Sequence, residues 1–122
     1  MQVGYVVLYV TDADACRDFW IDKVGMQLRE SMQVMEHSIH KIGFGDSNFS
    51  FELVPRKLME NNPDQLDLAT PSICFYVDDL IKEHARLKDS GITTSDISER
   101  GGKESFAFSD NESRWFAVME SK

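Results

Sequence analysis

Ser72-Ile73-Cys74-Phe75-Tyr76-Val77-Asp78-Asp79 repeats, with changes, the stretch Tyr5-Val6-Val7-Leu8-Tyr9-Val10-Thr11-Asp12 near the start of the chain. In each copy a run of β-forming residues ends in Tyr-Val-x-Asp, an Asp opens a helical pattern, and a Gly (Gly25 or Gly91) stops it. Two copies at so long a spacing rule out a solenoid and describe a duplicated module, whose halves are expected to pair with the functional surface between them.

Around the first copy, residues 3–10 are almost continuously apolar, as in a strand covered on both faces. Neighbours on a strand point opposite ways, so Val6, Leu8 and Val10 share one face and Tyr5, Val7 and Tyr9 the other. Asp12 or Thr11 caps a helix on which Cys16, Phe19, Trp20 and Val24 form one apolar stripe. That stripe is expected on the aliphatic face of the strand, which leaves the tyrosine face for another purpose. Strands are predicted over Leu28–Met35, Ser38–Phe44 and Asn48–Val54, with a turn at Gly43–Ser47. In the last of these Phe49, Phe51 and Leu53 share one face and Ser50, Glu52 and Val54 the other. The module reads β-α-β-β-β.

Residues 55–70 lose the alternation and contain Pro55 and Pro63, which makes them a linker with at most a helical turn. In the second module Ile73, Phe75 and Val77 are expected to face a helix capped by Asp78 or Asp79, with Ser72, Cys74 and Tyr76 opposite. The helix presents Leu80, Ile81, His84 and Leu87. Three further strands are predicted near Thr93–Ser98, Glu104–Phe108 and Arg114–Glu120, with turns at Arg100–Lys103 and Ser109–Ser113. In the last, Phe116 and Val118 join the core while Trp115, Ala117 and Met119 point the other way. The expected organisation is one domain over residues 1–122, with modules at 1–54 and 71–122 and the linker between.

At 122 residues, 42% hydrophobic and 28% charged, the composition is that of one globular domain. A net charge of −8 excludes a nucleic-acid binder, which needs a basic face. No apolar run approaches the roughly twenty residues of a membrane span, so no membrane partner is expected and a cytoplasmic location is. Cys16 and Cys74 lack the spacing of a metal knuckle or redox pair and are read as reduced core residues.

The chain resembles the vicinal oxygen chelate superfamily, which includes glyoxalase I, extradiol dioxygenases and the bleomycin-resistance proteins. The residues that carry the resemblance are Tyr9-Val10-x-Asp12, Phe19-Trp20 and Gly25 in the first half, and Phe75–Asp79, Leu87 and Gly91 in the second. Near the end, Ser109-Asp110-Asn-Glu-Ser-Arg-Trp115 stands where the family has an Asp-Pro-Asp-Gly-Asn turn. The resemblance implies an α+β fold: two βαβββ modules forming a curved mixed-sheet cup backed by helices, often completed in a homodimer. In catalytic members four inward residues hold a divalent metal in the cup.

Taken one at a time, those four positions fall on Tyr5 and Ser72, each seven residues before its Asp, and on Glu52 and Ala117. One carboxylate survives, and neutral Tyr, Ser and Ala are poor substitutes for imidazole, so no metal and no other cofactor is expected. What is left is a surface of Tyr5, Val7, Tyr9, Tyr76, Trp115 and Met119, with Val54, Cys74 and the single acid Glu52. It fits an aromatic or cationic small molecule, a cation gaining about 0.5–2 kcal/mol from the rings. The implied function is metal-independent small-molecule binding of the bleomycin-resistance type. The alternative is a glyoxalase-like lyase or isomerase, or a dioxygenase-like enzyme, in which buried Glu52 with a raised pKa acts as base or His37 or His40 recruits a metal. His37 and His40, three apart on a strand, point to opposite faces, so one of the two is expected to reach the cup. His84 reads as a partly buried packing residue. No Ser-His-Asp arrangement or phosphate loop is present in the pattern.

Overall fold

The structure is a computed structural model and describes residues 1–121. It divides into two compact units, Met1–Thr70 and the remainder from Pro71 onward. In the first, strand β1 (Val6–Val10) leads into helix α1 (Ala13–Phe19), which continues as a π-helical segment, Trp20–Val24. Strands β2 (Gln27–Val34), β3 (His37–Gly43) and β4 (Ser50–Pro55) follow, then a 3-10 turn at Arg56–Met59. The sheet order is β1-β4-β3-β2, with β1 parallel to β4 and the other pairs antiparallel.

The second unit repeats the plan with β5 (Cys74–Val77), helix α2 (Leu80–Asp89), β6 (Ser98–Arg100), β7 (Lys103–Ser109) and β8 (Trp115–Glu120), in the order β5-β8-β7-β6. Its first and last strands are again parallel. Each unit is therefore a β-α-β-β-β module with a four-stranded mixed sheet, as the internal repeat predicts.

The caps that the sequence left open are decided by hydrogen bonds. Asp12 accepts from the Ala15 amide at 3.0 Å and Asp79 from the Lys82 amide at 3.1 Å, so Thr11 and Asp78 are not the caps. Both helices end where a left-handed residue is needed, at Gly25 (φ 108°) and Gly91 (φ 83°).

The stripe Cys16, Phe19, Trp20 and Val24 is buried, and Leu8, Val10, Ile42, Phe51 and Leu53 are buried with it. Trp20 meets Phe19 and Phe51 edge-on at 5.6 and 5.2 Å between centroids. Burying each such side chain contributes about 1.5–3 kcal/mol. In the second unit Leu80, Leu87, Ile92, Phe106, Phe108, Phe116 and Val118 form the core, and Phe75 packs on Phe108 and Phe116.

Three expectations are corrected. Ile81 is 68% exposed, because Leu80, His84 and Leu87 already make the stripe and the next position turns about 100° away from Leu80. Of the strand expected over Thr93–Ser98, an isolated bridge joins Thr94 to Phe108 and the regular strand begins only at Ser98: the Ser95 hydroxyl takes the Ala107 amide at 2.8 Å, which interrupts the ladder until Ser98 pairs with Ser105. Cys74 is exposed rather than in the core, while Cys16 is buried. His84 is partly buried as expected, its Nε2 donating to the Ser95 carbonyl at 2.8 Å and its ring edge-on to Phe106. The turn after β7 is built on Asp110, whose buried carboxylate accepts from the Glu112 and Arg114 amides, each at 2.9 Å.

Candidate functional site

Each sheet has one face covered by its helix and one that is not, and the alternation along the strands assigns side chains to them. On β1, Leu8 and Val10 go to the core, so Val7 and Tyr9 lie on the open face. Glu52 pairs with Val7 across the parallel β1–β4 ladder and with Lys41 across β4–β3, and Lys41 pairs with Glu30 across β3–β2. A row Val7, Glu52, Lys41, Glu30 thus crosses the four strands, since directly paired residues project to the same side. Tyr5, just before β1, is 44% exposed, and its ring reaches far enough for the Lys41 ammonium to stand 4.3 Å from its centroid.

At one end of this face Arg29 occupies the bulge where the β2–β3 register slips. Its guanidinium donates to the carbonyls of Phe44, Gly45, Ser47 and Phe49 and to the Ser50 hydroxyl. It can lie against the sheet because Gly43 has no side chain: a Cβ there would come within 2.5 Å of the guanidinium carbon. Arg29 therefore holds the loop 44–49 and buries Ser50.

The two strand histidines separate as their spacing demands. His37 shares the open side with Ile39 and Lys41, whereas His40, paired with the core residue Leu53, is buried on the helix side. Its Nε2 lies 2.7 Å from Asp14 Oδ1 and its Nδ1 2.8 Å from the Ser31 hydroxyl. Both ring nitrogens are thus engaged away from the open face, so His40 is not a recruit for a metal there. The His40 hydrogen bond holds the Asp14 carboxyl below its usual range, with the Arg17 guanidinium adding to the effect.

In the second unit Ser72, Cys74 and Tyr76 are all exposed, Tyr76 at 71%. Cys74 pairs with Ala117 and Ala117 with Ala107, Tyr76 pairs with Met119, and Trp115 pairs with Ser109 and is 50% exposed. This open face is aromatic and small-apolar, with the Cys74 thiol pushed up in pKa by partial desolvation and so protonated at neutral pH.

The four positions implied for a metal do not fit one. Ala117 offers a methyl group and Ser72 a neutral hydroxyl, while the Tyr5 ring is already beside an ammonium, next to which a second cation is repelled. Among the described residues no three His, Cys, Asp or Glu side chains are grouped to hold an ion.

The sequence singled out Tyr5, Val7, Tyr9 and Glu52, and Val7 and Glu52 are direct neighbours on one face. Tyr76, Trp115 and Met119 belong to one face of the second sheet. Lys41, Glu30 and Arg29 were missed. Lys41 had a weak signal, since strand parity puts it on the face opposite Ile42. Its place beside Glu52 depends on the β3–β4 register, which the sequence does not print.

A fold of two such modules with one open sheet face apiece defines a class of protein. The chain matches the Glyoxalase/Bleomycin resistance protein/Dioxygenase superfamily over residues 2–117 and belongs to it. Among solved structures it is similar to TnmS3, an antibiotic binding protein from Streptomyces sp. CB03234, at a TM-score of 0.82 and 17% identity, covering 100% of this chain and 97% of that one. It is similar to a superfamily member from Sphaerobacter thermophilus DSM 20745 at 0.83 and 17%, covering 99% and 98%. A third likeness is to lactoylglutathione lyase from Agrobacterium tumefaciens, at 0.74 and 20%, covering 98% and 93%. No curated protein matches the sequence. Among the described residues no helix is long and apolar enough to cross a membrane.

Proposed function

We propose that this protein is a metal-independent small-molecule-binding protein that holds a planar aromatic compound on an open sheet face, the candidate contacts being Tyr5, Val7, Tyr9 and Glu52 on the face of the first module and Tyr76, Trp115 and Met119 on that of the second. The observation that carries this reading is the exposure of Tyr5, Tyr76 and Trp115 on sheet faces that the cores do not use. Large rings left partly in water bury less of their surface on folding than core rings do, and they supply broad, amphipathic contact area to a ligand at low entropic cost. The likeness to TnmS3, an antibiotic binding protein, is in keeping with such a role. The poor donor set at the metal positions supports metal independence. A homodimer and a cytoplasmic location are part of the proposal.

Titration with fused-ring compounds, followed by tryptophan emission and by calorimetry, is the test. Saturable binding is expected, weakened by Tyr5→Ala and by Trp115→Ala; a folded protein that binds no compound of a broad fused-ring panel sinks the reading. Stoichiometric zinc, nickel, manganese or iron in protein purified without chelator would overturn metal independence, and light scattering reads the dimer.

A second reading, a lyase or isomerase with Glu52 as base, is favoured by one feature. Glu52 is half-buried and stands directly opposite Lys41, a pairing in which one group takes a proton while the other steadies developing negative charge. Loss of turnover of a 2-oxoaldehyde–thiol adduct in Glu52→Gln would move the proposal to this reading.

A further inference from the structure

The open face of the first module carries its own organic cation, and the geometry points to Lys41 as the residue that selects the ligand: its ammonium receives an acceptor oxygen of the bound compound, a carboxylate or a phenolate. The inference rests on the binding reading above and names the class of compound which that reading leaves open.

Lys41 is half-buried on the middle of the face, with its ammonium 4.3 Å from the centroid of the Tyr5 ring. Tyr5 is the side chain on which a planar cation would be laid. That cation would meet a like charge and a ring face already engaged by one. Glu52 and Glu30 stand opposite Lys41 on the two neighbouring strands.

These carboxylates do not make the face anionic, because the Arg29 guanidinium lies over Gly43 at its end. Two cations balance two carboxylates. The Arg29 donors go to four carbonyls and the Ser50 hydroxyl. The Lys41 ammonium has three N–H donors, of which the Tyr5 ring takes one direction. A charge-assisted hydrogen bond to an anionic oxygen uses another, in a half-buried place where such bonds are stronger than in water. Lys41 thus supplies a positive charge on this face without the full ligand set that a divalent ion needs.

The experiment compares two probes of one ring system, 2-naphthoate and 2-naphthylmethylammonium, by calorimetry on the full chain. Wild-type protein is expected to bind 2-naphthoate about tenfold more tightly, the size of one charge-assisted hydrogen bond. Lys41→Met brings the ratio close to one and Lys41→Arg restores it; Lys41→Gln replaces the Met variant if that fails to fold. A wild-type preference for the ammonium probe, or an unchanged naphthoate preference in Lys41→Met, overturns this inference and leaves the binding reading standing. Binding of neither probe nor any other fused-ring compound removes both.

Discussion

The buried ring of His40 places Nε2 2.7 Å from Asp14 Oδ1 and Nδ1 2.8 Å from the Ser31 hydroxyl, so one side chain on β3 ties α1 to the edge strand β2. His40→Ala leaves a cavity and removes two hydrogen bonds, to Asp14 and to Ser31. It should destabilise the protein by about 2–3 kcal/mol in urea unfolding. His40→Gln, which can keep one of the two bonds, should cost less.

The same contact gives stability a dependence on acid. Asp14 has its carboxyl pKa held below the ordinary 3.8, first by the His40 hydrogen bond. A depressed folded pKa contributes stability that is present above the unfolded value and is lost as pH falls through the folded one. The melting temperature of wild type should therefore exceed that of Asp14→Asn above about pH 5, and the margin should close below about pH 4. Because Asp14 is largely exposed, solvent screening keeps the margin small. A margin that widens in acid would contradict the assignment.

Arg29 and Gly43 make a second linked pair. Arg29→Ala frees four carbonyls and a buried hydroxyl, and should speed amide exchange across residues 44–49 at a cost of about 1–3 kcal/mol. Gly43→Ala puts a methyl group 2.5 Å from the guanidinium carbon and 2.6 Å from the Phe49 carbonyl oxygen. It should open the same loop by displacing the same arginine. The double variant should then cost less than the sum of the two, the signature of a shared interaction.

The two tryptophans report on different parts of the molecule. Trp20 is fully buried and Trp115 is half-exposed. Trp115→Phe should leave a blue-shifted emission that acrylamide scarcely quenches, with stability changed by about 0.5 kcal/mol or less. Trp20→Ala should cost about 3–5 kcal/mol. Equal quenching of both rings would contradict their placement.

The duplicated caps allow a paired measurement. Asp12→Ala and Asp79→Ala each remove one side-chain bond to a helix amide, from Ala15 and from Lys82. Each should lower stability by about 1 kcal/mol. Asn at either position should recover most of it.

Much of this was legible in the chain because local rules and tertiary demands agree. Alternation along Tyr5–Val10 and Ser72–Val77 separates core from open face correctly, since a half-covered sheet admits only one phase of the pattern. The stripe Cys16, Phe19, Trp20 and Val24 is buried as read, and Gly25 and Gly91 mark both helix ends. The reading weakened where side chains compete with backbone, as at Ser95, and where a short helix needs fewer apolar contacts than its sequence offers, as at Ile81.

By itself the sequence determined that one β-α-β-β-β plan occurs twice, which Asp caps each helix within one residue, and that the family's metal positions hold a single strong ligand in Glu52. Those are matters of residue type and of period, and they are written along the chain. Only the tertiary structure decided that Lys41 stands over Tyr5 beside Glu52, that Arg29 lies on Gly43, and that His40 turns its ring to Asp14. Pairing register and the reach of long side chains bring together residues far apart in sequence, and no local period encodes either.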